Sequence, residues 1–307
     1  MLLVASIASQ VLLGASAQHI VCTPKPACTT PVLFAPTEAV YVAALGATLP
    51  PTSPTTPISF KVQTGNRNSV SAEVGRSPWT PAGGLELEAR FTLSGPHVTT
   101  RVLDWMPVTA APQALFSDEA NQIDVAVEYR LAVSGEVPPG TYTSTVTYQA
   151  AGDPGGSLDS ITNTFTVTIP AYISVRFGGL APGQIPTIDF AYGGANVDAY
   201  LEAVVAHDAL PPTAATFATL EVATNSPGGY RIAITVSAIA APAQSSLTVS
   251  NIDLLGRAAD GRTIDGDGPT NGFVTVLRAH DFALKVSGAE APGFYAFEVA
   301  YGATPLP

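Results

Sequence analysis

A chain of 307 residues is long enough for two ordinary domains. Only 12% of its residues are charged, which argues against long surface helices because these carry Glu, Lys and Arg on their outer faces. The net charge of −11, with its basic residues scattered, argues against a nucleic-acid partner. Abundant Val, Thr, Tyr, Gly and Pro residues predict an all-β fold of short strands and tight turns.

The chain opens with an apolar segment that ends in Ala15-Ser16-Ala17, the small-x-small pattern read by signal peptidase. We predict a signal peptide over residues 1–17 and a mature chain that starts at Gln18. No Lys or Arg precedes the apolar run, so either the true start lies upstream or the signal is atypical. The alternative to a signal peptide is a buried N-terminal strand or helix. No later segment reaches the roughly 18 apolar residues of a membrane span. We therefore expect a secreted protein, extracellular or at the cell surface.

Residues 18–45 are predicted to form an extended N-terminal segment that contains the chain's two cysteines, Cys22 and Cys28. Export favours a disulfide between them, and the absence of a matching histidine pattern argues against zinc. A disulfide this local closes a short loop and adds less stability than a long-range one, so its expected role is to stiffen the start of the first domain.

The first half contains both tryptophans. Either could be a platform for a sugar ring. Trp79, in the loop-like stretch Ser77-Pro78-Trp79, is the candidate ligand-binding residue, and core packing is its open alternative. Trp105 lies in a strand-like run, and we expect it in the core, where a sandwich tryptophan usually packs.

An internal repeat organises the chain. The stretch Tyr129–Ala150 matches Phe282–Ala303 at ten of twenty-two positions without a gap. Each copy is predicted to be a hairpin-like unit with a Pro-Gly turn, followed by a tyrosine, Tyr142 or Tyr295, at a sandwich corner. A fainter echo links Phe60–Val74 to Leu220–Ile234. We therefore predict two tandem immunoglobulin-like β-sandwich domains from an internal duplication, over residues 46–170 and 171–307.

The second copy is followed by only four residues, whereas the first continues through the strand-like stretch Thr164–Ile169. A faithful duplication would leave domain two without a final strand, which is unfavourable in water. Three arrangements of two segments could fill the gap: Ala171–Phe177 as a replacement edge, Pro31–Leu45 paired within the same molecule, or Pro31–Leu45 inserted into the next subunit. The last would build head-to-tail fibres by strand addition.

The acidic loop Asp260–Gly268 is the candidate ion site. Asp260, Asp265 and Asp267 are potential calcium ligands, although their spacing differs from an EF-hand loop. The alternative is a plain hairpin turn, which also favours Asp and Gly. No other cofactor is predicted. The sequence contains none of the common nucleophile, zinc-protease, phosphate-loop or dinucleotide motifs, so we predict that the protein is not an enzyme.

The stretch Thr224–Tyr230, Thr-Asn-Ser-Pro-Gly-Gly-Tyr, and the Pro-Gly-x-Tyr turns resemble segments of bacterial secreted sandwich proteins. These include fimbrial or pilus-like subunits and WxL-type surface domains, although the paired Trp-x-Leu motifs of the latter are absent. The resemblance implies a surface or appendage role and transfers no catalytic residue.

The leading hypothesis is a secreted cell-surface structural or adhesive protein with protein partners. Its finer form is a subunit of a surface filament or layer that self-associates by strand addition. The alternative is an extracellular carbohydrate- or protein-binding module that does not self-assemble. An extracellular hydrolase comes third, and it would need a cleft with converging carboxylates or histidines.

Overall fold

The computed structural model describes residues 18–22, 27–64, 69–151, 159–181, 183–193, 196–270 and 272–307. The predicted signal peptide lies outside them. The chain divides into two units. Unit 1 comprises Met1–Pro36, Gly46–Val133 and Thr141–Thr168, and unit 2 comprises Thr37–Leu45, Ser134–Gly140 and Ile169–Pro307.

Unit 1 is built from two sheets. Its strands are β1 Gln18–Val21, β2 Val32–Phe34, β3 Thr48–Leu49, β4 Ile58–Thr64, β5 Ser69–Arg76, β6 Glu86–Gly95, β7 Val98–Pro107, β8 Gln113–Glu119, β9 Gln122–Ala132, β10 Gly140–Ala151 and β11 Ser160–Ile169. One sheet has the order β1-β4-β9-β6-β7, with β3 also paired to β9, and the other has the order β2-β11-β10-β5-β8.

Strict alternation of side chains explains the core of unit 1. Along β9, every second residue from Ile123 to Leu131 is buried and the residues between them are partly exposed. The same pattern in β4 and β6 gives each strand one apolar face, and burying these faces against the other sheet forms the core.

Unit 2 is also a β structure. Its strands are β12 Ile173–Gly178, β13 Thr187–Tyr192, β14 Ala209–Leu210, β15 Ala214–Ala215, β16 Thr219–Thr224, β17 Tyr230–Ala240, β18 Ile252–Leu254, β19 Arg257–Ala258, β20 Thr263–Gly266, β21 Val274–Arg278, β22 Phe282–Lys285 and β23 Gly293–Pro305. They form three sheets, β12-β16-β21, β15-β13-β23-β17-β20 and β14-β22-β18-β19. Its two α-helices are α1, Glu38–Ala43, and α2, Val197–Ala206. The all-β prediction is confirmed.

The N-terminal segment, predicted to be extended, forms two strands and a helix. Strand β1 pairs antiparallel with β4, and β2 pairs parallel with β11. Helix α1 begins after Thr37, whose side chain accepts a hydrogen bond from the Val40 N–H. The buried Tyr41 ring packs at a tilt of 47° with its centre 5.7 Å from that of Tyr172, and its hydroxyl donates to the Ser134 carbonyl, 2.6 Å away, which ties α1 into unit 2.

The repeated segment is not a hairpin, so that prediction is wrong. Strands β9 and β10 lie in different sheets of unit 1, and β22 and β23 lie in different sheets of unit 2. The Pro-Gly link therefore crosses between sheets. The Tyr295 hydroxyl donates to the carbonyl of Ala291, four residues upstream and 2.8 Å away, which is the corner geometry predicted for it. The duplication itself stays a prediction.

Strand β13 occupies the place predicted to be empty in the second domain. It pairs antiparallel along β23, from Thr187 opposite Glu298 to Tyr192 opposite Gly293. The segment Ala171–Phe177 instead contributes β12, which pairs with β16. The replacement strand comes from the same molecule but from a segment that the sequence did not single out.

The Thr224–Tyr230 stretch anchors the start of unit 2. The Asn225 side chain is fully buried, accepts from the Tyr172 N–H and donates to the carbonyls of Val137 and Pro170, at 3.0 to 3.1 Å. The Thr224 hydroxyl donates to the Tyr172 carbonyl at 2.7 Å. Gly229 has a φ of +83°, and a side chain there would collide with the Gly266 carbonyl, so the second glycine of the motif is required.

Candidate ligand-binding cleft

A cleft of about 500 Å³ lies in unit 1, between β9 and the Pro/Thr-rich loop that joins β3 to β4. The loop is tied to β2, because the Leu33 N–H donates to the Ser53 carbonyl and the Thr52 N–H donates to the Leu33 carbonyl, both at 2.7 Å. This anchoring holds one wall in place. The cleft is lined by Thr48, Pro50, Pro51, Pro54, Thr55, Thr56, Pro57, Ile58, Trp105, Val127, Glu128, Tyr129 and Arg130.

Four charged side chains form a grid on β6 and β9 beside this loop. The register sets Glu88 opposite Arg130 and Arg90 opposite Glu128. Arg90 donates through Nε to Glu128 Oε2 at 2.8 Å, and Arg130 pairs with Glu88. The two carboxylates balance the two guanidinium groups, so the grid carries no net charge.

Trp105, on β7, lies over both arginines of the grid. The guanidinium carbons of Arg90 and Arg130 are 5.1 and 4.3 Å from the centre of its ring. Contacts of this kind attract a cation to the indole face, and the paired carboxylates keep the arginines in place. The ring is therefore positioned before any ligand arrives.

Tyr129 contributes to the cleft but keeps its hydroxyl in the core, 2.5 Å from that of Tyr148. Burial raises the pKa of Tyr129 to about 12, so the phenol stays neutral at physiological pH. The polar side chains that line the cleft are Glu128 and Arg130 of the grid, the exposed Thr48 of β3, and the exposed Thr55 and Thr56 of the loop.

The structure gives the two tryptophans different surroundings. Trp105, expected in the core, is partly exposed on the outer side of its sheet, so that expectation is wrong. Trp79 is 5% exposed, and its indole N–H donates to the Leu85 carbonyl at 2.9 Å. Ligand binding by Trp79 stays a prediction, but its buried ring offers a sugar little surface.

The three aspartates of the predicted calcium loop do not converge. Asp265 forms a two-pronged pair with Arg231, with both contacts at 2.7 Å, and Asp260 accepts the Val236 N–H at 3.0 Å. Among the residues that the structure describes, no group of three His, Cys, Asp or Glu side chains is arranged to hold a metal ion. Calcium binding by Asp260, Asp265 and Asp267 stays a prediction that these contacts do not favour.

The predicted disulfide is confirmed, with Cys22 bonded to Cys28 and their Cα atoms 5.6 Å apart. Within the described ranges, no helix is both long and apolar enough to cross a membrane.

The sequence analysis did not predict the charged grid. Its signal is present as the alternation Glu86, Glu88, Arg90 on one strand and Glu128, Arg130 on another, which sets charges on the exposed face of each strand. The sequence does not state which strands are neighbours, so the pairing appears only in the fold.

No family model and no curated protein matches the chain. Solved structures similar to it include the CooA pilin subunit from enterotoxigenic Escherichia coli, at 9% identity and a TM-score of 0.28, covering 50% of this chain and 98% of that one. Another is the CupB6 tip adhesin from Pseudomonas aeruginosa, at 14% identity and a TM-score of 0.28. The match covers 94% of this chain and 88% of the adhesin chain.

A third similar structure is the CsuC–CsuE chaperone–tip adhesion subunit pre-assembly complex of archaic chaperone-usher Csu pili of Acinetobacter baumannii. It is 9% identical, with a TM-score of 0.28, and covers 93% of this chain and 94% of that chain. Pilus subunits and tip adhesins thus stand among the similar structures, but the low TM-scores transfer no role or site.

Proposed function

We propose that the protein is a secreted adhesive protein of the cell surface that binds a saccharide, without chemical conversion, in the Trp105 cleft of unit 1. The observation that carries the proposal is the indole held over the Arg90–Glu128 and Arg130–Glu88 pairs at the edge of the cleft. An aromatic face packs against the C–H face of a sugar ring, and neighbouring polar groups bond its hydroxyls.

The electrostatics of the cleft favour an uncharged ligand. A strongly acidic or basic ligand would have to break one of the two ion pairs, which leaves a charge without its partner. Neutral sugar hydroxyls can donate to Glu128 and accept from Arg130, the two grid residues that line the cleft, while the pairs stay intact. Prolines along the opposite wall add apolar surface without the entropy cost of ordering long side chains.

Secretion is supported by the Cys22–Cys28 disulfide, since such bonds persist in oxidising compartments. A place in a surface filament is a finer hypothesis. The candidate donor segment, Pro31–Leu45, forms β2, which pairs with β11 of the same chain, and helix α1. Filament formation would therefore need another surface.

The test is binding of the full chain to an array of neutral and charged glycans. Trp105→Ala is expected to weaken binding of the preferred neutral glycan at least about tenfold, which corresponds to roughly 1.4 kcal/mol. Val102→Ala is the matched control, because Val102 lies on the same strand, is 59% exposed and does not line the cleft. Equal binding by wild type and Trp105→Ala, or binding confined to charged glycans, contradicts the proposal.

A further inference from the structure

Helix α2 of unit 2 presents an apolar ridge to solvent. Val197, Leu201 and Val205 are 41%, 51% and 81% exposed. Their spacing of four residues puts them on one side of the helix, about 6 Å apart along its axis. The opposite side is packed inward through Tyr200 and Ala203. The ridge is thus a side of the helix that unit 2 leaves uncovered.

The helix that carries the ridge is firmly held. The Tyr200 ring stacks on Tyr192 at 4.4 Å with an angle of 6° between the planes. Its hydroxyl donates to Glu290 Oε2 at 2.7 Å. A helix fixed in this way loses little conformational freedom when a partner binds, which favours recognition.

The surroundings of the ridge are acidic. From Phe177 to Tyr230 the sequence has five acidic residues and neither Lys nor Arg. Two of the five, Asp198 and Glu202, are exposed on α2 itself, and Asp208 follows its end. An anionic membrane would be repelled by this charge, and so would the same face of a second copy.

A cleft of about 420 Å³ lies at the C-terminal end of α2, lined by His207, Asp208, Asp253 and Lys285 among others. Lys285 is already neutralised by Asp253, whose carboxylate is 2.8 Å from its ammonium group. Asp208 and the carbonyl end of the helix dipole therefore leave the cleft with a negative potential, which favours a cation.

We propose that the α2 ridge and this cleft form one interaction surface for a protein segment that carries apolar and basic residues. Its apolar side chains pack on Val197, Leu201 and Val205, and a Lys or Arg side chain enters the cleft beside Asp208. The negative charge of the surface selects a basic partner, because apolar contacts alone would not distinguish one apolar segment from another. The surface lies in unit 2 and is independent of the Trp105 cleft.

The test is a selection of random dodecapeptides, displayed on phage, against the full wild-type chain. The recovered peptides are expected to combine Lys or Arg with Leu, Ile, Val or Phe. The best peptide, made synthetically, should bind Leu201→Lys and Asp208→Lys at least about tenfold more weakly than wild type. Val102→Lys, which changes an exposed valine of unit 1, should bind it as wild type does. Raising the NaCl concentration should weaken the wild-type complex.

Peptides that bind Leu201→Lys as tightly as wild type, or a selection that recovers no Leu201-dependent peptide, would overturn the proposal. Two further results would also overturn it. One is a concentration-dependent dimer in sedimentation that Leu201→Lys abolishes, which would assign the ridge to a second copy. The other is Leu201-dependent binding to phosphatidylcholine–phosphatidylglycerol vesicles, which would assign it to a lipid surface.

Discussion

Two tyrosines of β23 differ in whether the hydroxyl forms hydrogen bonds. The Tyr295 hydroxyl is buried, donates to the Ala291 carbonyl at 2.8 Å and accepts from Ser245 at 3.2 Å. The Tyr301 hydroxyl is also buried and has no hydrogen-bond partner among the residues that the structure describes, and burial raises its pKa. We predict that Tyr295→Phe lowers the free energy of unfolding by about 1–2 kcal/mol and that Tyr301→Phe leaves it unchanged or raises it. Urea denaturation of the three proteins measures this, and equal losses would contradict it.

A single carboxylate makes unit 2 sensitive to acid. Burial by itself would raise the pKa of Glu290, but hydrogen bonds from Ser287 and Tyr200 outweigh it and lower the pKa to about 2, from an ordinary value of 4.5. Because the folded-state pKa is the lower one, the stability from this group is fully present above pH 4.5 and is lost as the pH falls toward 2.

We predict that Glu290→Gln costs about 2 kcal/mol at pH 7, since the amide cannot accept all the hydrogen bonds of the carboxylate. The urea midpoints of wild type and variant should converge between pH 4.5 and 2. A difference that stays constant from pH 7 to pH 2.5 would show that Glu290 acts by packing alone.

At the scale of the elements, the sequence predicts the alternation of side chains along a strand but does not predict which strands pair. The alternation in β9 and β11 is a property of a single strand, so the sequence predicts it. That β9 and β10 belong to different sheets depends on partners far along the chain, and a Pro-Gly turn fits either arrangement. Helix α1 was missed because a short apolar run fits a strand or a helix, and its contact with Tyr172 decides between them.

The candidate site was missed for the same reason. The strand pattern around Trp105 fits either a buried or an exposed face of the sheet. Its contacts with Arg90 and Arg130 place the ring on the outer face. Trp79 lies in a stretch that reads as an open loop, but the Leu85 carbonyl and the Arg76 side chain hold its ring inside. Contacts between distant residues, rather than local composition, separate the platform from the core residue.

At the scale of the whole molecule, the edge beside β23 decides whether copies of the chain can pair. Phe190 holds β13 there, since it is 1% exposed and packs 6.1 Å from the ring of Phe297. A carboxylate at this position would be buried without a partner, and we predict that Phe190→Asp costs more than about 3 kcal/mol and releases β13.

With β13 released, β23 has an unpaired edge beside an apolar groove, which is a template for another chain. Phe190→Asp should therefore form concentration-dependent oligomers in sedimentation velocity where wild type, under the same conditions, does not. The matched control is Phe294→Asp, because Phe294 lies on the partner strand opposite Ala191 and is 51% exposed. It should sediment as wild type does, since a carboxylate at an exposed position keeps its hydration.

Oligomers formed equally by both variants would show that added charge, rather than loss of β13, drives association. A Phe190→Asp protein that keeps the wild-type stability and sedimentation would show that β13 is dispensable as the cover of β23.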